Sequence, residues 1–367
     1  MASIKQRPDG SWRARYRDEA HREHSRHFAT KREAQRWLDE VTTAVVTGRY
    51  VNPRAGVVTL GQFYLDWSAR QIWAPTTVTA MNLTIAKCTL RDVALNRISR
   101  SHVEAWVKHM SDHGLAPGTI KTRVNNVRNV LRAAVRDRRI PDDPSAGVTL
   151  PRKRKLEAAM HIPTSEDVGD VLSAALPHAS ALIALCAFAG LRLGEAAAVQ
   201  LDDVDFLRRR IHVRRQVQFI SAGVVNISPP KYGSERAIFA ADELLALLSQ
   251  HVEVFGTHGT ARWLFRGESE QPPHQNTVSY WWRKANSDAG VTPFRLHDLR
   301  HFYASGLIAA GCDVVTVQRA LGHARATTTL NTYSHLWPTA EDKTREAAGA
   351  LVASALRTSR GTHAGHA

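Results

Sequence analysis

Cysteine is scarce. Three residues, Cys88, Cys186 and Cys312, are scattered over 367 positions with no C-x-x-C spacing. An odd, dispersed set supports neither a disulfide framework nor a cysteine-based metal site, and a reducing, cytoplasmic compartment is expected. Long apolar runs are missing as well. The longest, Ala179 to Leu191, falls short of the ~20 residues that span a bilayer, and the opening MASIKQRPDG has no apolar core, so neither export nor a membrane anchor is expected. Acidic residues are in deficit: 34 Asp and Glu against 49 Lys and Arg leave a net charge of +15 and a pI near 10.2. A hydrophobic share of 43% argues against disorder, and the length exceeds a single domain of ~100–200 residues, so two or three cores are expected. A folded, strongly basic chain favours a polyanion, nucleic acid ahead of an anionic membrane surface, because clustered cations gain free energy by releasing condensed counterions.

Three segments follow one another. From Ser3 to Gly48, Trp12, Ala14 and Tyr16 alternate with Arg13, Arg15 and Arg17 after a Pro8-Asp9-Gly10 turn, which gives a strand with one apolar and one cationic face. Ser25 to Ala29 can form another strand, and Thr30 with Glu33 makes a capping box that opens an amphipathic helix through Trp37, Leu38 and Val41. The reading is a small sheet backed by one helix. Its arginine face is either solvated or able to enter a DNA groove, since a β-ribbon fits the major groove.

Tyr50 to Val58 reads as a linker, and Thr59 to Arg139 is dominated by helical spacing. Within Thr119 to Arg139, Ile120, Val124, Val127, Leu131 and Ala134 form an apolar stripe. At ~100° per residue, Lys121, Arg128, Arg132, Arg136 and Arg139 fall on one adjacent stripe, suited to phosphate contact or simply turned to water. The proline-rich stretch Ile140 to Pro163 carries the run Arg152-Lys153-Arg154-Lys155 and marks a second linker, one able to lie along a nucleic-acid backbone. Beyond it a mixed α+β domain is expected, with strands near Ile211 to Ile227 and Ala237 to Phe239. The sequence holds no internal repeat and no nucleotide-binding glycine loop.

In this last segment four stretches carry polar groups between apolar sequence: GLRLGEAAAVQLDDVDF, PPKYGSERAIF, FRLHDLRHFYASGL and LGHARATTTLNTYSHL. They supply two guanidinium groups, Arg192 and Arg300, one ammonium, Lys231, two imidazoles, His297 and His323, and one phenol, Tyr333. That set suits displacement at a phosphodiester: paired arginines can clamp the non-bridging oxygens where charge develops, and no metal is then needed. Each piece alone is weak. With 39 Arg and 18 His in the chain, H-x-x-R is expected about twice by chance, and it occurs twice, at His297/Arg300 and His212/Arg215. Only His297 is embedded in helical apolar spacing, with Leu296, Leu299, Phe302, Leu307 and Ile308.

Taken in order, Arg192, Lys231, His297-x-x-Arg300, Leu321-Gly322-His323 and Tyr333 resemble the tyrosine recombinases, and the leading sheet and helical segments resemble the arm-binding and core-binding domains of phage-type integrases. The resemblance implies a multidomain fold: a small β-sheet-plus-helix N-terminal domain (1–50), an all-α core-binding domain (57–145) and a mixed α+β catalytic domain with a tail (160–367). It implies a site-specific recombinase in which Tyr333 attacks the scissile phosphate to give a 3′-phosphotyrosine and a free 5′-hydroxyl, integrating and excising a mobile element without a cofactor. Arg192 and Arg300 would clamp the phosphate, and Lys231 would protonate the leaving oxygen. His297 would act as base or hydrogen-bond partner toward the tyrosine, His323 would bond a phosphate oxygen, and Glu195 would orient the site. His301 receives no role, and Tyr303 is read as core packing.

By the same resemblance the partners are duplex DNA with core and arm sites, further copies in a tetramer on DNA, a host DNA-bending factor and a directionality factor. The stretch Thr339 to Leu356, with Ala347, Ala348, Leu351, Val352 and Leu356 at helical steps, would dock on a neighbouring subunit or on its own domain. A chromosome-dimer resolvase or type IB topoisomerase would share the chemistry, and a DNA-binding regulator that has lost catalysis is the reading from a different class.

Overall fold

The computed structural model describes residues 2–17, 22–46, 50–52, 55–152, 160–221, 224–337 and 340–361, and the chain divides into two compact units, 1–158 and 159–367. The first unit contains two separate hydrophobic cores. Strands β1 (Ser3–Gln6), β2 (Trp12–Arg17) and β3 (Glu23–Phe28) form an antiparallel sheet with β2 central. Alternation sends Ala14 and Tyr16 to the buried face, where they meet Ala34 and Leu38 of α1 (Lys31–Val46). The expected capping box is present: Thr30 Oγ1 accepts from the Glu33 amide at 3.3 Å, and the Glu33 carboxylate accepts from the Thr30 amide at 3.2 Å. The third strand starts two residues before the sequence suggests, because His24 pairs with Tyr16 and stacks on its ring at 5.1 Å.

Four helices follow in the first unit: α2 (Leu60–Ser68), α3 (Pro75–Ala86), α4 (Arg100–Asp112) and α5 (Pro117–Arg136). Their starts are set locally, by a Thr59/Gln62 capping box at α2 and by Pro75 and Pro117 in the first turns of α3 and α5. The α5 stripe Ile120, Val124, Val127, Leu131 and Ala134 packs at 1% exposure or less around Trp106. The helix ends three residues earlier than its periodicity suggests, since Arg138 takes a left-handed φ of 50°. Arg139 therefore lies beyond the helix and off the stripe to which the sequence assigns it.

In the second unit, α6 (Ser165–Ala174), α7 (Pro177–Phe188) and the short α8 (Leu193–Ala197) precede the strands β4 (Val204–Asp205), β5 (Arg210–Val213), β6 (Gln216–Ser221), β7 (Val224–Ser228) and β8 (Arg236–Phe239). β4, β5 and β8 make one antiparallel sheet, and β6 pairs with β7 as a separate hairpin. Then come α9 (Asp242–Phe255), α10 (Gln275–Ala289), α11 (Asp298–Ala309), α12 (Val314–Leu321), α13 (Ala326–Tyr333) and α14 (Ala340–Gly361). The apolar run of the sequence becomes α7, buried nearly all round, with α6, α9 and α11 against it. Among the described residues no helix is long and apolar enough to cross a membrane.

The second H-x-x-R copy resolves into structure. His212 sits mid-strand in β5 opposite Ala237, while Arg215 pairs with the buried carboxylate of Asp203 and lies over the Trp263 ring.

Candidate active site

The site is assembled around a buried carboxylate. After α7 the chain turns sharply at Gly190, whose φ of 61° and contact with the Tyr303 ring leave no room for a side chain. The turn delivers Arg192 to the N-cap position of α8 and Glu195 to its first turn, where the helix dipole favours an anion. One oxygen of Glu195 accepts from Arg192 Nη1 at 2.6 Å. The other accepts from the Arg192 amide at 3.1 Å and from Arg236 Nη2 at 2.9 Å. The Glu195 side chain is fully buried. Desolvation alone would raise its pKa, but the Arg236 and Arg192 guanidinium groups outweigh it and hold the carboxyl below its ordinary value.

Arg236 reaches further. Its Nε donates to the Ala320 carbonyl at 2.9 Å, tying β8 to the end of α12. There Gly322 caps α12 at φ 63°, and a Cβ on it would come within 2.9 Å of Arg236 Cδ. The turn leads into His323, whose Nδ1 lies 2.9 Å from Oγ1 of the buried Thr329 on α13. Desolvation, with Arg300 and Arg192 nearby, pushes the His323 imidazole down to about 4, so it is neutral at pH 7.

Helix α11 contributes most. His297 precedes its first residue, and Arg300 and His301 follow at three and four positions on, so all three share a face. The Arg300 guanidinium donates to the carbonyls of Gly190 and Leu321 and is 2% exposed. Burial and the Arg192 and Arg236 charges pull its pKa below the usual guanidinium range, and it remains a cation at neutral pH. Tyr333, the last residue of α13, is 1% exposed, with its hydroxyl 2.8 Å from His301 Nδ1. Burial raises the phenol to about 12 against the pull of Arg300 and Arg192. Desolvation lowers the His301 imidazole in turn, and Asp298 opposes that shift.

His297 stands edge-on to His301, ring centroids 5.1 Å apart, and is exposed as a residue. Partial desolvation, then His301 and Arg300, push its imidazole down to about 4. The sequence reading gave His297 a role toward the tyrosine hydroxyl; the imidazole hydrogen-bonded to that hydroxyl is His301, one helical turn on. Lys231 is exposed on the turn Lys231–Gly233 between β7 and β8, in the loop that delivers Arg236. Tyr303 packs under Gly190, as its core reading requires.

Sequence reasoning passed over three residues of this cluster: His301, Arg236 and Thr329. The R-H pair in LRHFY and the S-E-R of the Lys231 loop carried signals for the first two. A buried threonine hydroxyl has no sequence signature.

The residues expected to touch DNA fall into different environments. Arg13 and Arg15 lie on the face of β2 opposite Ala14 and Tyr16, within 3.6 Å and 3.5 Å of Glu23, and Arg17 is exposed. Lys121, Arg136, Arg139 and Arg152 are exposed. Arg132 pairs with Asp143 at 3.3 Å. Arg128 turns inward, bonding Ser145 Oγ and the Ser145 carbonyl at 3.1 Å each, so it fastens the segment after α5 instead of facing outward. Lys153, Arg154 and Lys155 lie outside the described residues.

The chain matches the phage integrase family over residues 153–339. It is 26% identical over 257 residues to the ICEBs1 integrase of Bacillus subtilis, covering 66% of this chain and 68% of that one. Among solved structures it is similar to the Tn1549 transposon integrase in complex with transposon right end DNA, at TM-score 0.67 and 20% identity, over 80% of this chain and all of that one. It is also similar to a lambda integrase tetramer bound to a Holliday junction, at TM-score 0.59 and 17% identity, over 88% and 96%.

Proposed function

The chain belongs to the phage integrase family and is a site-specific recombinase of the tyrosine type, and from that premise we propose that Tyr333 is its nucleophile and Arg192 and Arg300 its phosphate clamp. Tyr333 attacks the scissile phosphorus, the bond to the 5′-oxygen breaks, and a 3′-phosphotyrosine forms. Attack by the partner strand's 5′-hydroxyl reverses the step, so the phosphodiester energy is conserved and no nucleotide is consumed. The observation that carries this reading is a buried tyrosine hydroxyl, hydrogen-bonded to an imidazole, in the field of both Arg300 and Arg192. The guanidinium pair stabilises charge that develops on the non-bridging oxygens. His323 and His297, neutral at pH 7, donate hydrogen bonds to the same oxygens, and Lys231, exposed on its turn, protonates the leaving 5′-oxygen. Glu195 holds Arg192 in place without reacting.

The test is a denaturing gel of the protein incubated with nicked suicide duplexes from the DNA flanking its gene. The adduct is expected in the wild type and in Tyr303→Phe and is lost in Tyr333→Phe. Sequence-specific binding without adduct on any bound site would replace this reading with the architectural one.

The integrated or excised DNA is that of a mobile element, in keeping with the relatives by name, and the site of action is the host cytoplasm on DNA. Residues 1–50 form an arm-site module, residues 57–145 a core-site module and residues 160–367 the catalytic domain. Removing residues 1–48 should spare binding to a short core site and abolish binding to separate arm sites. A tetramer on DNA is supported by the exposure of Leu351, Val352 and Leu356 on α14, at 72%, 58% and 61%, and by the likeness to a tetrameric integrase. Because a reversible transesterification sets no direction of its own, a host bending factor and a directionality factor would supply it.

A further inference from the structure

Two imidazoles, His297 at the N-cap of α11 and His301 in its first turns, stand side by side, and His301 is the one that meets the tyrosine. His301 Nδ1 is 2.8 Å from the Tyr333 hydroxyl, with the two rings inclined at 63° and their centroids 5.6 Å apart. We propose that His301 is the general base of strand cleavage: its Nδ1 takes the Tyr333 proton as the phenolic oxygen bonds to phosphorus, and returns it when the 5′-hydroxyl reverses the step. The inference rests on the reading of Tyr333 as nucleophile.

The geometry is what proton transfer requires. A base must lie within about 2.6–3.2 Å of the proton-bearing atom, and this pair does so before DNA arrives. The helix fixes it there: Arg300 is anchored to the Gly190 and Leu321 carbonyls, so the next residue on α11 is held as firmly. Tyr333 is positioned from the other side, as the last residue of α13 packed at 1% exposure.

Protonation states agree. Burial leaves the phenol protonated and the imidazole neutral, so the stable arrangement is O–H donating to Nδ1. The groups that face His301 are His297 at the N-cap of its helix, Asp298 and Arg300 on that helix, and Tyr333 on α13. An anionic phosphate held by Arg192 and Arg300 offsets the cation that depresses His301, which raises its basicity when the scissile group is in place. The proton inventory balances: one proton moves from Tyr333 to His301, one from Lys231 to the 5′-oxygen, while the Tyr333 oxygen–phosphorus bond forms and the phosphorus–5′-oxygen bond breaks.

The experiment is single-turnover cleavage of a nicked suicide duplex by the full-length protein from about pH 5.5 to about pH 9.5, spanning the imidazole range and part of the phenol range. The wild-type rate should climb on the acid side and level off. His301→Gln keeps a hydrogen-bonding group but no base. It should cleave about 100-fold more slowly at neutral pH, with a rate that keeps rising roughly tenfold per pH unit as the phenolate forms. A duplex with a sulfur leaving atom, which needs no proton, should leave the His301→Gln deficit intact while restoring Lys231→Ala.

Duplex binding by His301→Gln at wild-type affinity reports that it folds. If it fails to bind, His301→Ala with added imidazole carries the test, and recovery of cleavage is expected. A His301→Gln rate within about twofold of wild type with an unchanged pH profile overturns the proposal, as does a failure of imidazole to restore His301→Ala. An adduct that persists in Tyr333→Phe instead overturns the nucleophile assignment itself.

Discussion

Glu195 can be removed with a calculable result. Its fully buried carboxylate binds Arg192 at 2.6 Å and Arg236 at 2.9 Å, and Arg300, 2% exposed, lies in the same field. Glu195→Ala leaves Arg236, itself only 7% exposed, without its counter-ion beside two further cations. Breaking a buried pair from one side costs about 3–5 kcal/mol, since the orphaned charge keeps its desolvation penalty. For a domain of this size each kcal/mol shifts the midpoint by about 2–4 °C, so thermal denaturation of Glu195→Ala should fall by roughly 6–20 °C. Replacing both partners, Glu195→Met with Arg236→Met, should recover most of that loss, because no charge is left unpaired. The folded-state carboxyl titrates below its ordinary value, so its contribution is complete above that value and is lost as pH falls through the depressed pKa. Glu195→Gln should therefore be less stable than wild type at neutral pH and lack the acid-dependent part of the decline. A Glu195→Ala midpoint within about 2 °C of wild type would refute the reasoning.

Four other outcomes are expected. Thr329→Val deletes the hydroxyl beside His323 Nδ1; it should slow cleavage about tenfold while stability changes by only about 1 kcal/mol, read from suicide-substrate kinetics and denaturant melts. Gly190→Ala forces an L-residue into φ 61° against the Tyr303 ring; the strain of about 1–2 kcal/mol, plus the collision, should lower the melting midpoint, and pairing it with Tyr303→Leu should return part of the loss. Lys121→Ala should reduce the salt dependence of DNA binding by about one counterion. Arg128→Ala, which unfastens Ser145, should lower stability and leave that slope unchanged.

Local chemistry was legible in the sequence and tertiary juxtaposition was not. The capping box at Thr30, the alternation of Ala14 and Tyr16 with arginines, and the α5 stripe are decided within one helical turn or one strand step, and each stands where its pattern puts it. The end of α5 is not legible, because periodicity continues through Arg139 while the helix stops at Arg136 and the backbone turns left-handed at Arg138. In the candidate site, Arg192, His297, Arg300, His323 and Tyr333 were named through the resemblance to the tyrosine recombinases, which their order and spacing carry. Which imidazole meets the phenol depends on how α13 docks against α11, and nothing in H-x-x-R-H distinguishes its two histidines for that purpose. Arg128 shows the converse: its stripe position looks outward on a helical wheel, yet Ser145, seventeen residues on, folds back to occupy it.

The two backbone carbonyls held by Arg300 belong to Gly190, in the turn after α7, and Leu321, at the end of α12. One side chain thus joins three stretches of the polypeptide, and the clamp role proposed for it is added to a place in the architecture. Decay of function among descendants of such a chain should accordingly be uneven. A copy relieved of selection for strand exchange can lose the solvent-facing Lys231 with little harm to folding, whereas replacing Arg300 strips two buried carbonyls of their donor at once. Retention of that arginine in a degenerate copy therefore testifies to an intact domain, and Lys231 and Tyr333, the proposed acid and nucleophile, are the positions at which retained activity should be judged.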